Sequence, residues 1–178
     1  HERPAAAGGG VSDPRREIVP RSMTVADVAR WLVDEAGPYT VATHRNPDGD
    51  AIGSLLAMTR ALRQAGRDVV MWHPDTPAVG EDLAFLLRDG ESIVSDLPDD
   101  RDDRVLVVLD CASAGRLSDH PPAELGRVIV NIDHHHDNGR FGDLNLIDGS
   151  ASSTAEMVLA ILDAARWPID ASIAEPLH

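Results

Sequence analysis

Residues 105–110 read VLVVLD, five consecutive branched aliphatic side chains followed by an acid. A strand with one face in water alternates apolar and polar residues, so an unbroken run of this kind belongs to a strand buried on both faces. The same signature recurs on either side at Tyr39–Thr43 (YTVAT), Val69–Trp72 (VVMW) and Arg127–Ile132 (RVIVNI). Helical patterns lie between and around these runs. In Ala51–Ala65, the residues Ile52, Leu55, Leu56, Thr59 and Leu62 recur at helical spacing up to Gly66, and Glu81–Arg88 reads as a shorter helix. Upstream, Thr24 opens a helix carrying Val25, Val28, Ala29 and Leu32, with Asp27 as its capping-box partner and Gly37-Pro38 as its stop. Downstream, Ser153–Arg166 places Met157, Val158, Ile161, Leu162 and Ala165 on one side and ends before Trp167-Pro168. Buried strands that alternate with helices imply parallel, right-handed crossovers. The predicted fold is α/β: an open, mainly parallel sheet with helices on both faces.

A chain of 178 residues, 43% of them hydrophobic, suits one domain that buries roughly two-thirds of its unfolded surface. Residues 1–20 (HERPAAAGGGVSDPRREIVP) show no apolar periodicity and read as a disordered tail, which leaves 21–178 as the folded domain. Sixteen basic against thirty acidic residues give a net charge of −14, a field that repels long polynucleotides and acidic membranes. The chain has only six aromatic residues, three Trp, two Phe and one Tyr, so it lacks the stacking platforms that grip a long single strand. No apolar stretch approaches the ~20 residues that span a bilayer, and the N-terminal run lacks the apolar centre of a secretory signal. A cytoplasmic protein without membrane contact is expected. The single cysteine, Cys111, cannot form an internal disulfide or a thiolate cluster, so any metal must take nitrogen and oxygen ligands.

In open α/β sheets ligands gather at the carboxyl ends of the strands. Here the first run leads into His44-Arg45-Asn46-Pro47-Asp48-Gly49-Asp50, the VLVVL run into Asp110, and Arg127–Ile132 into Asp133-His134-His135-His136. One acid at a strand end is usually a helix cap. Three acid- or imidazole-bearing ends on one rim are costly to bury unless a cation compensates them, which points to a divalent metal site. Asn46-x-Asp48-x-Asp50 also resembles the start of a calcium loop, but Ala51 stands where the sharp-turn glycine belongs and Ala57 where the bidentate glutamate belongs. Mixed imidazole and carboxylate donors suit Mn²⁺, Co²⁺, Fe²⁺ or Zn²⁺ better than Ca²⁺. Asp50 also reads as the cap of the helix that starts at Ala51.

The segments His44–Ser54 (HRNPDGDAIGS), Asp110 within VLVVLDCAS and Asp133-His134-His135 within VIVNIDHHHDN together resemble the first three motifs of the DHH phosphoesterase superfamily. The wording NPDGDAIGS and the run FGDLNLIDGSASSTAEMVLAIL are most similar to its bifunctional oligoribonuclease/pAp phosphatase branch, and the resemblance covers roughly residues 22–178. It implies two divalent cations, with Mn²⁺ the expected ion and Mg²⁺ or Co²⁺ the alternatives. It implies that His44 and Asp48 bind one metal, that Asp50 and His134 bind the other, and that Asp110 bridges them. His135 would then face the substrate phosphate, and Asp133 would orient the imidazoles.

Arg116 reads either as a further phosphate contact or as a solvated surface residue, and His136 as an exposed loop histidine. Ser152, Ser153 and Thr154 form a capping box with Glu156 rather than a substrate contact, and Cys111 reads as packing. Members of the branch continue into a strand bearing a fourth metal-binding aspartate and then a second, glycine-rich domain, so the catalytic domain is expected to be C-terminally incomplete.

The implied activity is metal-dependent hydrolysis of short oligoribonucleotides or dinucleotides, with pAp and cyclic-di-AMP as related substrates. A homodimer is left open. The alternatives are a pyrophosphatase- or exopolyphosphatase-like hydrolase, or a non-catalytic nucleotide-binding module.

Overall fold

The four apolar runs form the middle of a single sheet. In the structure, a computed structural model that describes residues 17–75 and 79–178, the strands are β1 (Arg21–Ser22), β2 (Tyr39–Thr43), β3 (Val69–Trp72), β4 (Ile93–Val94), β5 (Val105–Leu109), β6 (Val128–Asp133) and β7 (Leu144–Ile147). The helices are α1 (Val25–Asp34), α2 (Gly49–Gln64), α3 (Ala114–Leu117), α4 (Thr154–Ala164) and α5 (Ala171–Ala174). The expectation of a disordered tail falls, up to residue 16, outside the described residues.

Every strand pairing is parallel, in the order β1-β7-β6-β5-β2-β3-β4. From β2 the chain winds outward through β3 to β4, and from β5 it winds the other way through β6 to β7. The winding therefore reverses between β2 and β5, which pair in register from Tyr39↔Val105 to Thr43↔Leu109. At such a switch point the loops leaving two adjacent strands diverge and open a crevice at their carboxyl ends.

Alternate residues of each strand serve two cores. Tyr39, Val41, Val105, Val107, Leu109, Val130 and Ile132 pack against α1, α2, α4 and α5 on one face. Ala42, Trp72, Leu106, Val108 and Ile129 pack on the other against Leu117 of α3, Leu125 and Cys111. All five residues of β5 are fully buried, as are most positions of α2 from Ala51 to Leu62, and each buried aliphatic side chain contributes about 1.5–3 kcal/mol. Helices thus cover both faces, with the long ones on one side only.

Local chemistry sets the helix ends. Thr24 and Asp27 form the expected capping box of α1. The N-cap of α2 is Asp48, whose carboxylate accepts from Ala51 N at 3.1 Å; Asp50, expected in that role, is the second residue inside the helix. Glu81–Arg88 holds only a 3₁₀ turn, Ala84–Leu86, in place of the expected helix. Its Leu86 carbonyl is instead taken by the guanidinium of Arg60 at 2.7 Å.

Candidate metal centre

The carboxyl ends of β2, β5 and β6 collect the acids and imidazoles. The ends of β2 and β5 are tied together by Thr43, whose buried hydroxyl donates to the Leu109 carbonyl at 2.8 Å. His44 follows at once on one side and Asp110 on the other. Asp110 sits in the left-handed region (φ 55°), a conformation aspartate tolerates better than most residues. The chain thereby turns sharply out of β5, and the carboxylate is left only 2% exposed.

Asp110 is the common member of two clusters of donors that stand within reach of a single ion each: His44, Asp48 and Asp110, and Asp110, His134 and His135. Its Oδ2 lies 3.6 Å from His44 Nε2, and its Oδ1 lies 3.5 Å from His134 Nε2 and 3.8 Å from His135 Nδ1. These gaps are too long for hydrogen bonds. The gaps to His44 and His134 match the separation of two donors on one ion, about 3.0–3.6 Å for metal–ligand bonds of 2.0–2.2 Å, whereas His135 Nδ1 stands farther off and is engaged by Asp133. Among the described residues the donor set is entirely nitrogen and oxygen and fits a borderline divalent cation.

Asp50, expected as a metal ligand, is 3.7 Å from His134 Nε2. Its oxygens also accept from Thr154 N and Ala155 N, both at 2.8 Å, and from Ser54 Oγ at 3.3 Å. It lies beside His134 but outside both donor clusters, where His135 stands with His134 instead, and it anchors the first turn of α4. His136 is exposed, as expected, and Arg116 is also exposed, with its guanidinium 3.2 Å from His44 Nδ1.

A layer of supporting contacts fixes the donors. His44 Nδ1 lies 2.7 Å from the Arg45 carbonyl, a contact that orients the ring with Nε2 toward Asp110. The His44 carbonyl accepts in turn from Nε2 of His73, a fully buried histidine whose Nδ1 accepts from Asp75 N. Asp133, with no exposure, faces His135 Nδ1 at 2.7 Å and accepts from Asn138 Nδ2 at 2.6 Å. Asn138 also donates to the Cys111 carbonyl and accepts from Arg140 N, which closes the loop after β6.

The titrations follow from these neighbours. Asp110 raises the pKa of His44, and Asp133 raises that of His135. Burial pushes Asp110 up, but the facing His44 imidazole and the Thr154 hydroxyl outweigh it and hold the carboxyl below its usual range. Burial pushes the Cys111 thiol up to about 12, so it is packing and not a thiolate donor.

Three contributors had no local signal in the sequence: His73, Asn138 and Thr154. Ser153 caps α4 as expected, accepting from Glu156 N, and the Glu156 carboxylate reaches back to Ser152. Thr154 departs from the capping expectation and sends its hydroxyl to Asp110 Oδ1 at 2.9 Å.

The sequence pattern of the DHH family, N-terminal domain, matches residues 38–177. This chain belongs to the DHH family. It is 39% identical over 152 residues to a bifunctional oligoribonuclease and PAP phosphatase, NrnA, of Thermus thermophilus, a match covering 84% of this chain and 44% of the relative. It is 26% identical over 144 residues to the protein of the same name from Bacillus subtilis, covering 78% and 44% of the two chains. The DHH-family chain thus spans a little under half the length of these curated relatives. A crystal structure of an exopolyphosphatase-related protein from Bacteroides fragilis superimposes with a TM-score of 0.74 at 22% identity, covering 86% of this chain and 47% of that one, which bears on the fold alone. No helix among the described residues is long and apolar enough to cross a membrane.

Proposed function

We propose that this DHH-family chain carries the catalytic centre of a metal-dependent phosphodiesterase acting in the cytoplasm on short oligoribonucleotides and dinucleotides, with pAp and cyclic-di-AMP in the same substrate class. The observation that carries this reading is the sharing of Asp110 between two clusters of donors at the switch point. His44 and Asp48 would hold one cation, His134 and Asp50 the other, and Asp110 both. Two divalent ions there, Mn²⁺ before Mg²⁺ or Co²⁺, would supply the charge that acidifies water and stabilises a phosphoryl group in displacement.

The remaining residues position the substrate. Arg116, exposed at the rim beside His44, offers a fork of donors to a phosphate oxygen. His135, held by Asp133, is available to the substrate phosphate on the opposite side of Asp110. The net charge of −14 disfavours long polyanions, while a dinucleotide brings few phosphates and meets little of that field.

The test is release of mononucleotide from a dinucleotide in the presence of Mn²⁺, with Asp110→Ala and Asp48→Ala as controls of unchanged circular dichroism. Both variants are expected to lose turnover, and full turnover in either would overturn the assignment. Phosphate release from pyrophosphate in preference to dinucleotide cleavage would favour the pyrophosphatase-like alternative. Nucleotide binding by calorimetry with no hydrolysis would favour a binding module.

A further inference from the structure

The first two residues of α4 touch both acids that flank the switch point. Asp50 arrives from the β2 side and accepts from Thr154 N and Ala155 N. Asp110 arrives from the end of β5 and accepts the Thr154 hydroxyl on Oδ1. Thr154 is fully buried, so this hydroxyl has no water competing for it.

The consequence concerns rotation of the Asp110 carboxylate. One oxygen, Oδ2, faces His44, and the other, Oδ1, faces His134 and His135. A carboxylate free to turn about its Cβ–Cγ bond would present its oxygens to the two donor clusters only part of the time. The Thr154 bond restrains that rotation from a helix that is itself packed against α1 and α2. The Thr154 side chain is fully buried, and its hydroxyl is committed to Asp110 Oδ1 at 2.9 Å.

We propose that Thr154 is a positioning residue that holds Asp110 in its bridging orientation and so couples the two cation sites. This rests on the metal-centre reading given above. The neighbouring backbone donors to Asp50 do not depend on the Thr154 side chain, so a substitution there separates the hydroxyl's contribution from that of the helix terminus.

The experiment is calorimetric titration of the whole chain with MnCl₂, comparing wild type with Thr154→Val, Thr154→Ala and Thr154→Ser, with cooperative thermal melting recorded for each. Valine keeps the shape without the donor, alanine removes the donor without adding a methyl group against the carboxylate, and serine restores the donor. The expected result is a loss of Mn²⁺ affinity of about 10- to 100-fold in the valine and alanine variants, the range found for removing groups that orient metal ligands, and a serine variant within about threefold of wild type. Should valine fail to melt cooperatively, alanine carries the comparison. Wild-type affinity in the alanine variant, or serine as weak as alanine, would overturn the proposal. Absence of Mn²⁺ binding by the wild type would instead overturn the metal-centre reading and this inference with it.

Discussion

His135 Nδ1 stands 2.7 Å from Oδ1 of Asp133, a carboxylate with no solvent exposure whose second oxygen is held by Asn138 Nδ2 at 2.6 Å. The ring is therefore oriented by a buried acid that is itself immobilised. This raises the His135 pKa, because the carboxylate favours the charged imidazole more strongly than partial burial opposes it. In the metal-free protein His135 is expected to titrate above its ordinary value of 6.5, and Asp133→Asn should move it back down. Imidazole chemical shifts followed against pH give the answer, and an unshifted midpoint in the variant would dissociate Asp133 from His135. The same variant should lose about 10- to 100-fold in dinucleotide hydrolysis, through misorientation of the ring.

Cation binding should also be visible as stability. A ligand that binds only the folded state contributes RT ln(1 + [L]/Kd), about 2.7 kcal/mol at a hundredfold excess over Kd. For a domain of this length that corresponds to a rise in Tm of about 5–10 °C on adding Mn²⁺. Asp110→Ala removes the residue common to both donor clusters, so its Tm should respond to Mn²⁺ by less than about 2 °C. An equal rise in both proteins would place the bound ion elsewhere.

The strands and the site differ in how far sequence alone reveals them. β2, β3, β5 and β6 announce themselves because each is buried on both faces and so reads as an apolar run. β7 does not, since it is four residues long and Asn145 leaves no more than two apolar residues in succession, whereas β6 has three before Asn131. The Asn145 side chain is buried and bonds both ways to the backbone of Gly142, at 3.1 and 2.7 Å, so a polar residue sits inside the sheet with its needs met locally. β1 and β4, two residues each, and α5, four residues, are too short for any period to register.

The acids and imidazoles of the centre were legible because strand ends are where an α/β sheet places chemistry. His73, Asn138 and Thr154 were not. Each acts on a residue at least five positions away in sequence, through a contact that exists only once the sheet has formed. Asp50 reads as a cap of its own helix but serves the N-terminus of another, 104 residues downstream, for the same reason.

Away from the centre, Arg60 of α2 forms a pH-sensitive tie with Glu91. Its guanidinium bonds both oxygens of Glu91, at 2.9 and 2.7 Å, and the carbonyls of Leu86 and Ser172, with side-chain exposures of only 7% and 11% for Arg60 and Glu91. Burial pushes the Glu91 carboxyl up, but Arg60 and the Arg88 N–H outweigh it and hold the group below its ordinary value of 4.5. A folded-state pKa below the unfolded one means that this stabilisation is complete above pH 4.5 and fades as the pH falls through the depressed value. Glu91→Gln leaves a largely buried cation without its counter-charge and should cost about 3 kcal/mol at pH 7. Between pH 5 and pH 3 the variant should lose less stability than wild type. Urea denaturation across that interval measures both, and parallel acid limbs would remove Glu91 from the account.

Gly53 gives a prediction whose sign is informative. In the interior of a helix, alanine is favoured over glycine by about 1 kcal/mol, so propensity alone makes Gly53→Ala stabilising. The C-terminal turn opposes this: a Cβ at position 53 would run into the Pro176 carbonyl oxygen and come within 3.2 Å of its carbon. Both belong to backbone, which cannot yield as a flexible side chain would. The residues around it are anchored, with Ile173 in the core and the Ser172 carbonyl bound to Arg60. Overpacking of this kind costs about 1–3 kcal/mol, which exceeds the propensity gain. Gly53→Ala should therefore be destabilised by up to about 2 kcal/mol in urea, with amide exchange accelerated first over residues 171–178. A stabilised variant would mean that the final turn does not pack on α2 in solution, and the Arg60–Ser172 tie would then fall with it.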